Sequence, residues 1–198
     1  MKVYVFGDSH AGKFGGDKRF TLVGPPAPTA WGLASEKAKS ESLFMLQMML
    51  HFAKDGDTIL FVLGEIDCRV HIYRQSIIQK REANEIIFDV VERYGRVVKD
   101  VRDHNPVKVA VLDVPPAVKQ PNVYMVDYYG TRDQRAEIAR RFNIVLRDWC
   151  EKNEICFIEI YDRLTDERGW LKDEYAEDEV HVSGVVVPFV VQQLEQCF

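Results

Sequence analysis

The sequence predicts a single α/β domain built on a parallel sheet, and three observations predict it. Four short runs are apolar throughout, as strands buried on both faces are. Between them lie segments whose apolar residues recur every three or four positions, the stripe of an amphipathic helix. The two kinds alternate along the chain, and that order gives a parallel sheet with helices on both faces. The length of 198 residues and the 46% hydrophobic content suit one domain over residues 1–198 with a substantial core.

The strand runs are residues 2–6, 58–63, 107–112 and 155–158. The second is bounded by Asp55-Gly56-Asp57 and Gly64, and the third follows Asn105-Pro106 and ends at Asp113. A helix is expected from Ser35 to about Ala53, dense in Leu, Met and Phe. The next, residues 81–104, carries its stripe on Ile86, Ile87, Val90, Val91, Tyr94, Val97, Val98 and Val101. Thr131 and Gln134 stand at capping-box spacing before a stripe of Ile138, Phe142, Val145, Leu146 and Trp149. Ser183 is placed to cap a last helix holding Val186, Val187, Val190, Val191 and Leu194. Ligands of such sheets bind beyond the carboxyl ends of the strands. The segments to search are therefore residues 7–31, 64–74, 113–131 and the stretch before the last helix, and two of these are long for simple connections.

Composition narrows the function. The net charge of −5, with dispersed basic residues, argues against a nucleic-acid binder, which needs clustered cations for phosphates. No apolar run reaches the length of a membrane span. Nothing at the amino end resembles a secretion signal, so a cytoplasmic protein is expected. The cysteines at 68, 150, 156 and 197 form no CxxC pair, and no histidine cluster has metal-ligand spacing. No metal or cofactor is expected, and the thiols are read as reduced, with Cys150 and Cys156 close enough in sequence to pair.

Three polar clusters fall at strand ends. Gly7-Asp8-Ser9-His10 follows the first strand, where turn amides can face a developing oxyanion. A serine becomes a nucleophile only when a base takes its proton. Asp178-Glu179-Val180-His181 supplies that base before the last helix, with a carboxylate three residues ahead that can fold back on the second ring nitrogen. Gly64-Glu65-Ile66-Asp67 follows the second strong strand, with Arg69 just beyond. Each alone is also ordinary turn composition. His10 is a rival base, and His71 and the loop aromatics Trp31, Tyr73, Tyr124, Tyr128 and Tyr129 are candidates for substrate contact or for plain packing.

Together the clusters resemble the SGNH hydrolases, also called GDSL esterases and lipases. The serine block of that superfamily matches Gly7-Asp8-Ser9, its glycine block falls at Gly32, its Gly-x-Asn-Asp block matches residues 64–67, and its Asp-x-x-His block matches residues 178–181. The resemblance runs from residue 3 to about 195. It implies a three-layer α/β/α sandwich with a flavodoxin-like parallel sheet. It also implies Ser9 attacking an ester carbonyl, His181 as base and then acid, Asp178 orienting His181, and the Ser9 and Gly32 amides as oxyanion donors. The third block departs from the pattern: Ile66 takes the place of the asparagine donor, or Asp67 does if the alignment slips by one. Losing such a donor costs about 2.7–4 kcal/mol of transition-state stabilisation. Gly64, Asp67 and Arg69 are carried as oxyanion or substrate-binding candidates, with Arg69 free either to compensate or to pair with Asp67.

The expected activity is a cofactor-free esterase acting on a small O-acyl ester, an acetyl group on a carbohydrate being the preferred guess. An acyltransferase or a non-catalytic carbohydrate binder on the same fold are the alternatives. A nucleotide-binding alternative arises because Gly7 to Lys13 fits G-x-x-x-x-G-K, but Phe14 stands where Ser or Thr should hold magnesium.

Overall fold

The computed structural model describes residues 2–23, 28–33, 41–118 and 127–198. Five strands, β1 (Val3–Gly7), β2 (Phe20–Val23), β3 (Thr58–Val62), β4 (Lys108–Leu112) and β5 (Cys156–Ile158), form one sheet in the order β2-β1-β3-β4-β5. All four pairings are parallel. This is the flavodoxin-like strand order, whose direction of winding reverses between β1 and β3. The crevice at that reversal is where the sheet favours a ligand.

Because strand side chains alternate between faces, each strand feeds two cores. Tyr4, Phe6, Ile59, Phe61, Val109 and Val111 face one side. There they meet α1 (Ala30–Leu33), α2 (Ser42–Phe52), α3 (Ile72–Gln79), α4 (Ala83–His104) and α5 (Arg132–Lys152). Val3, Val5, Leu60, Val62, Ala110, Leu112 and Ile158 face the other side. They pack on the 3-10 turn Ser9–Phe14, on Leu164 of α6 (Tyr161–Leu164) and on α7 (Val187–Cys197). The result is the three-layer α/β/α sandwich.

The long helices start where the sequence places caps. The Thr131 side chain accepts from the Gln134 amide while the Gln134 side chain accepts from the Thr131 amide. A second capping box, Glu82 with Glu85, opens α4. Ser183 precedes the 3-10 turn Gly184–Val186 and makes no side-chain cap, and α7 begins at Val187. The helix expected from Ser35 runs Ser42–Phe52, and residues 34–40 lie outside the described ones. β2 was not expected. It is an edge strand with Phe20 buried and Leu22 41% exposed, so it lacks the continuous apolar run that marks its neighbours.

The thiol reading is corrected. Cys156 of β5 is bonded to Cys197 at the end of α7, and Cys150 is buried and free, as is Cys68. The bond closes a 41-residue separation and ties an edge strand to the last helix. Restricting the unfolded chain in this way stabilises by roughly 3–4 kcal/mol. Among the described residues, no helix is long and apolar enough to cross a membrane.

Candidate active site

The site begins where β1 stops. Gly7 pairs with Val62, and a Cβ on Gly7 would stand 2.3 Å from the Val62 carbonyl oxygen, so only glycine lets β1 and β3 run this close. The chain then turns. The Asp8 side chain accepts from the His10 amide and caps the 3-10 turn Ser9–Phe14, leaving Ser9 at its first position and exposed. Phe14 closes the turn by inserting into the core at 1% exposure.

The histidine arrives on a tight loop. Ala176 bridges Val182 in antiparallel register, and the Glu177 amide donates to the His181 carbonyl. Inside this loop Asp178 Oδ1 accepts from the Val180 and His181 amides, at 2.7 Å each. Its other oxygen, Oδ2, lies 2.7 Å from His181 Nδ1, and His181 Nε2 lies 2.8 Å from Ser9 Oγ. An ionised carboxylate only accepts, so the ring proton sits on Nδ1 and Nε2 is left to accept from the serine hydroxyl. Burial raises the Asp178 carboxyl, but the bonds from the His181 ring and the two amides outweigh it and hold the group at about 2. Lys13, on the serine's own turn, pairs with Glu177 at 2.7 Å and fastens the two segments together. The structure thus joins Ser9 to His181, 172 residues away in sequence, and through it to Asp178.

No protein-family model matches the chain, and no curated protein sequence matches it either. Solved structures do. A carbohydrate acetylesterase from Sinorhizobium meliloti superposes with TM-score 0.65 at 15% identity, over 100% of this chain and 99% of that one. A GDSL-like lipase from Bacteroides thetaiotaomicron gives 0.60 at 16% identity, over 98% and 86%. A phospholipase A1 from Streptomyces albidoflavus gives 0.54 at 13% identity, over 100% and 99%.

The fold is that of the SGNH/GDSL hydrolases.

Within the SGNH fold the remaining candidates fall out differently. Gly64 has φ +120°, and a Cβ there would come within 2.8 Å of Val114 and 2.9 Å of Phe142, so this glycine is required by backbone conformation and packing. Asp67 opens a π-helical turn, Asp67–His71, and is fully buried. Its Oδ2 accepts from the Ala30 amide at 2.7 Å and its Oδ1 from the Trp31 amide at 3.4 Å. It therefore clamps the start of α1. Burial raises its carboxyl to about 7, against those two amides and with help from the charges of Asp8 and Glu65. The Gly32 amide donates to Thr29 Oγ1 at 2.8 Å and so is committed within its own turn.

Arg69 pairs with Glu65 at 2.6 Å, not with Asp67, and its guanidinium also donates to the Asp127 carbonyl. The i,i+4 spacing of Glu65 and Arg69 is the signal that could have revealed this. Arg135 was also missed. It stands on the apolar stripe of α5 with Ile138 and Phe142, an arginine where the pattern calls for a hydrophobic residue, and it is 3% exposed.

His181 Nε2, and not a nitrogen of His10, lies at hydrogen-bond distance from Ser9 Oγ. His10 is 5% exposed, packs its ring 5.1 Å from that of His181, and lies 3.3 Å from Asp8 Oδ1. Burial lowers the His10 imidazolium, but Asp8, Glu65 and the Val180 backbone more than offset it, so the group titrates above its ordinary value. His71 is half-buried and shifted down by burial and by Arg74 and Arg69. It lines a cavity of about 290 Å³ among α1, α3 and α4, together with Trp31, Asp67 and Gln75. Arg93 covers the Trp31 ring, Arg135 lies over Tyr128, and the Tyr73 hydroxyl accepts from Gln134. These aromatics anchor loops, and Tyr124 lies outside the described residues. In the nucleotide-binding alternative Lys13 would hold phosphate, whereas here it holds Glu177.

Proposed function

We propose that this chain is a serine esterase that cleaves a small O-acyl ester through an acyl-Ser9 intermediate. An acetyl group on a carbohydrate is the substrate class. One observation carries the reading: His181 bridges Ser9 Oγ and Asp178 Oδ2 at hydrogen-bond distance on both ring nitrogens.

In the first half-reaction Ser9 Oγ attacks the carbonyl carbon while its proton passes to His181 Nε2. Asp178 holds Nδ1–H and stabilises the imidazolium. The tetrahedral oxyanion is met by the Ser9 amide at the head of its turn. His181 then returns the proton to the leaving alcohol. Water, deprotonated by the same nitrogen, releases the acid from Ser9. Ser9 and the Asp178 side chain, the latter 51% exposed, are open to solvent, which supports water over a second alcohol as the acceptor. The reading needs no cofactor.

A carbohydrate-binding protein on the same fold is the second reading. It is favoured by the oxyanion side, where Ile66 replaces the asparagine donor and the Gly32 amide is already engaged. The Cys156–Cys197 bond is of a kind that persists in oxidising compartments, and it moves the proposed location away from the cytoplasm.

Hydrolysis of 4-nitrophenyl acetate by the wild type, Ser9→Ala and His181→Ala separates these readings. The esterase predicts wild-type turnover and a loss of roughly 10³-fold or more in both variants. Three equally active proteins would remove Ser9 from the chemistry. Three inert ones would favour the binding protein.

A further inference from the structure

Beyond the triad, a narrow slot of about 20 Å³ opens between the carboxyl ends of β3 and β4. Pro115 and Pro116 form part of its apolar wall, and Val180, the residue before His181, also lines it. Three charged side chains also reach it: Glu65, Arg69 and Arg135. A space of this size holds one water-sized group, since about 10–15 Å³ is the minimum for one.

Part of the hydrogen-bonding capacity of these side chains is spent on the fold. Glu65 Oε1 accepts from Arg69 Nε, the Arg69 guanidinium also holds the Asp127 carbonyl, and Arg135 Nη1 donates to the Gly130 carbonyl at 3.0 Å. Two atoms remain. Glu65 Oε2 and Arg135 Nη2 are buried and have no partner among the described residues. Their residues are 9% and 3% exposed. One is an acceptor and the other a donor. Leaving such groups unpaired is costly, so a group that satisfies both is strongly selected.

We propose that this slot is a subsite for a hydroxyl group of the substrate, the hydroxyl donating to Glu65 Oε2 and accepting from Arg135 Nη2. The proposal rests on the acyl-Ser9 reading and extends it to substrate choice. A carboxylate in the slot has no proton to donate to Glu65 Oε2, and an ammonium has no lone pair to accept from Arg135 Nη2, so neither satisfies both atoms. A methyl group of the same size would leave both polar atoms unsatisfied. The hydroxyl belongs either to the alcohol part of the ester, as in a polyol or sugar, or to a hydroxyacyl part.

Two isosteric pairs tell these sources apart: 2-hydroxyethyl acetate against propyl acetate, and methyl glycolate against methyl propionate. Binding is read by saturation-transfer NMR on Ser9→Ala protein, which keeps the slot and cannot turn the esters over through Ser9. The hydroxylated member of one pair should give at least about a threefold stronger signal. That preference should vanish when Glu65→Leu or Arg135→Met is added, each checked for folding by circular dichroism. The pair that discriminates names the source of the hydroxyl. Equal signals within both pairs, no signal from any ester, or a preference that survives both added substitutions would overturn the subsite. If the preference is found but wild-type protein hydrolyses none of the four esters, the ester reading fails and the subsite stands.

Discussion

Replacing Asp178 by asparagine should lower kcat on any ester substrate by about 10⁴-fold while the protein stays folded. The loop explains both halves of this expectation. Asp178 Oδ1 accepts from the Val180 and His181 amides, so the amide oxygen of an asparagine would stay on those two donors. Its NH₂ would then face His181 Nδ1, where a carboxylate oxygen now sits at 2.7 Å. Nδ1 would have to accept, and the ring proton would move to Nε2. In that tautomer the ring donates toward Ser9 Oγ and cannot take its proton. The magnitude is that of the same change in the serine-protease triad, where the geometry survives and the tautomer is wrong. Steady-state kinetics with circular dichroism checks it. A kcat within tenfold of wild type would mean that Asp178 does not set the tautomer.

Asp67 should make stability fall as pH rises from about 4 to 7, and Asp67→Asn should remove that contribution. Asp67 is fully buried, and its carboxyl is raised from 3.8 to about 7. A group whose folded value lies above its unfolded value binds its proton more tightly in the native state. The stability this gives is fully present below the unfolded value and is lost as pH passes through the folded one. At about 1.4 kcal/mol per tenfold in proton affinity, the full change is on the order of 4 kcal/mol. An asparagine cannot ionise. It can keep its oxygen on the Ala30 amide, and its NH₂ gives up only the longer bond from the Trp31 amide. Urea unfolding of both proteins between pH 4 and 8 gives the difference, which isolates Asp67 from His10 and the other titrating groups. Parallel curves would mean that Asp67 stays ionised throughout and acts as a charged clamp on α1.

The sequence carried the parts of this molecule that depend on local pattern. β1, β3 and β4 are legible because strands buried on both faces leave unbroken apolar runs, β5 because its short run is also apolar throughout, and α4 and α5 because a one-sided helix repeats every three or four residues. The Thr131–Gln134 box is legible because reciprocal capping needs those two residue types at that spacing. β2 escaped because an edge strand need bury only part of itself. Ser9, Asp178 and His181 were singled out because their blocks stand at strand ends in the order of the SGNH pattern, and the structure brings the three side chains together. Gly32 was assigned by placement alone, and its amide proved to be used by Thr29. The partner of Arg69 hung on whether Glu65 or Asp67 shared its side of a turn, and the i,i+4 spacing of Glu65 and Arg69 was the local signal for it. The Cys156–Cys197 bond joins elements that meet only through the tertiary fold, so spacing could not have found it.

The most direct test of the account is covalent capture of the nucleophile. Diethyl 4-nitrophenyl phosphate should transfer one diethylphosphoryl group to the protein, with release of 4-nitrophenol, and peptide mass spectrometry should place it on Ser9. His181→Ala protein should remain unlabelled under the same conditions, because the serine hydroxyl then has no base. An adduct on another residue, or equal labelling of Ser9 with and without His181, would contradict the claim that these two residues form a working nucleophile.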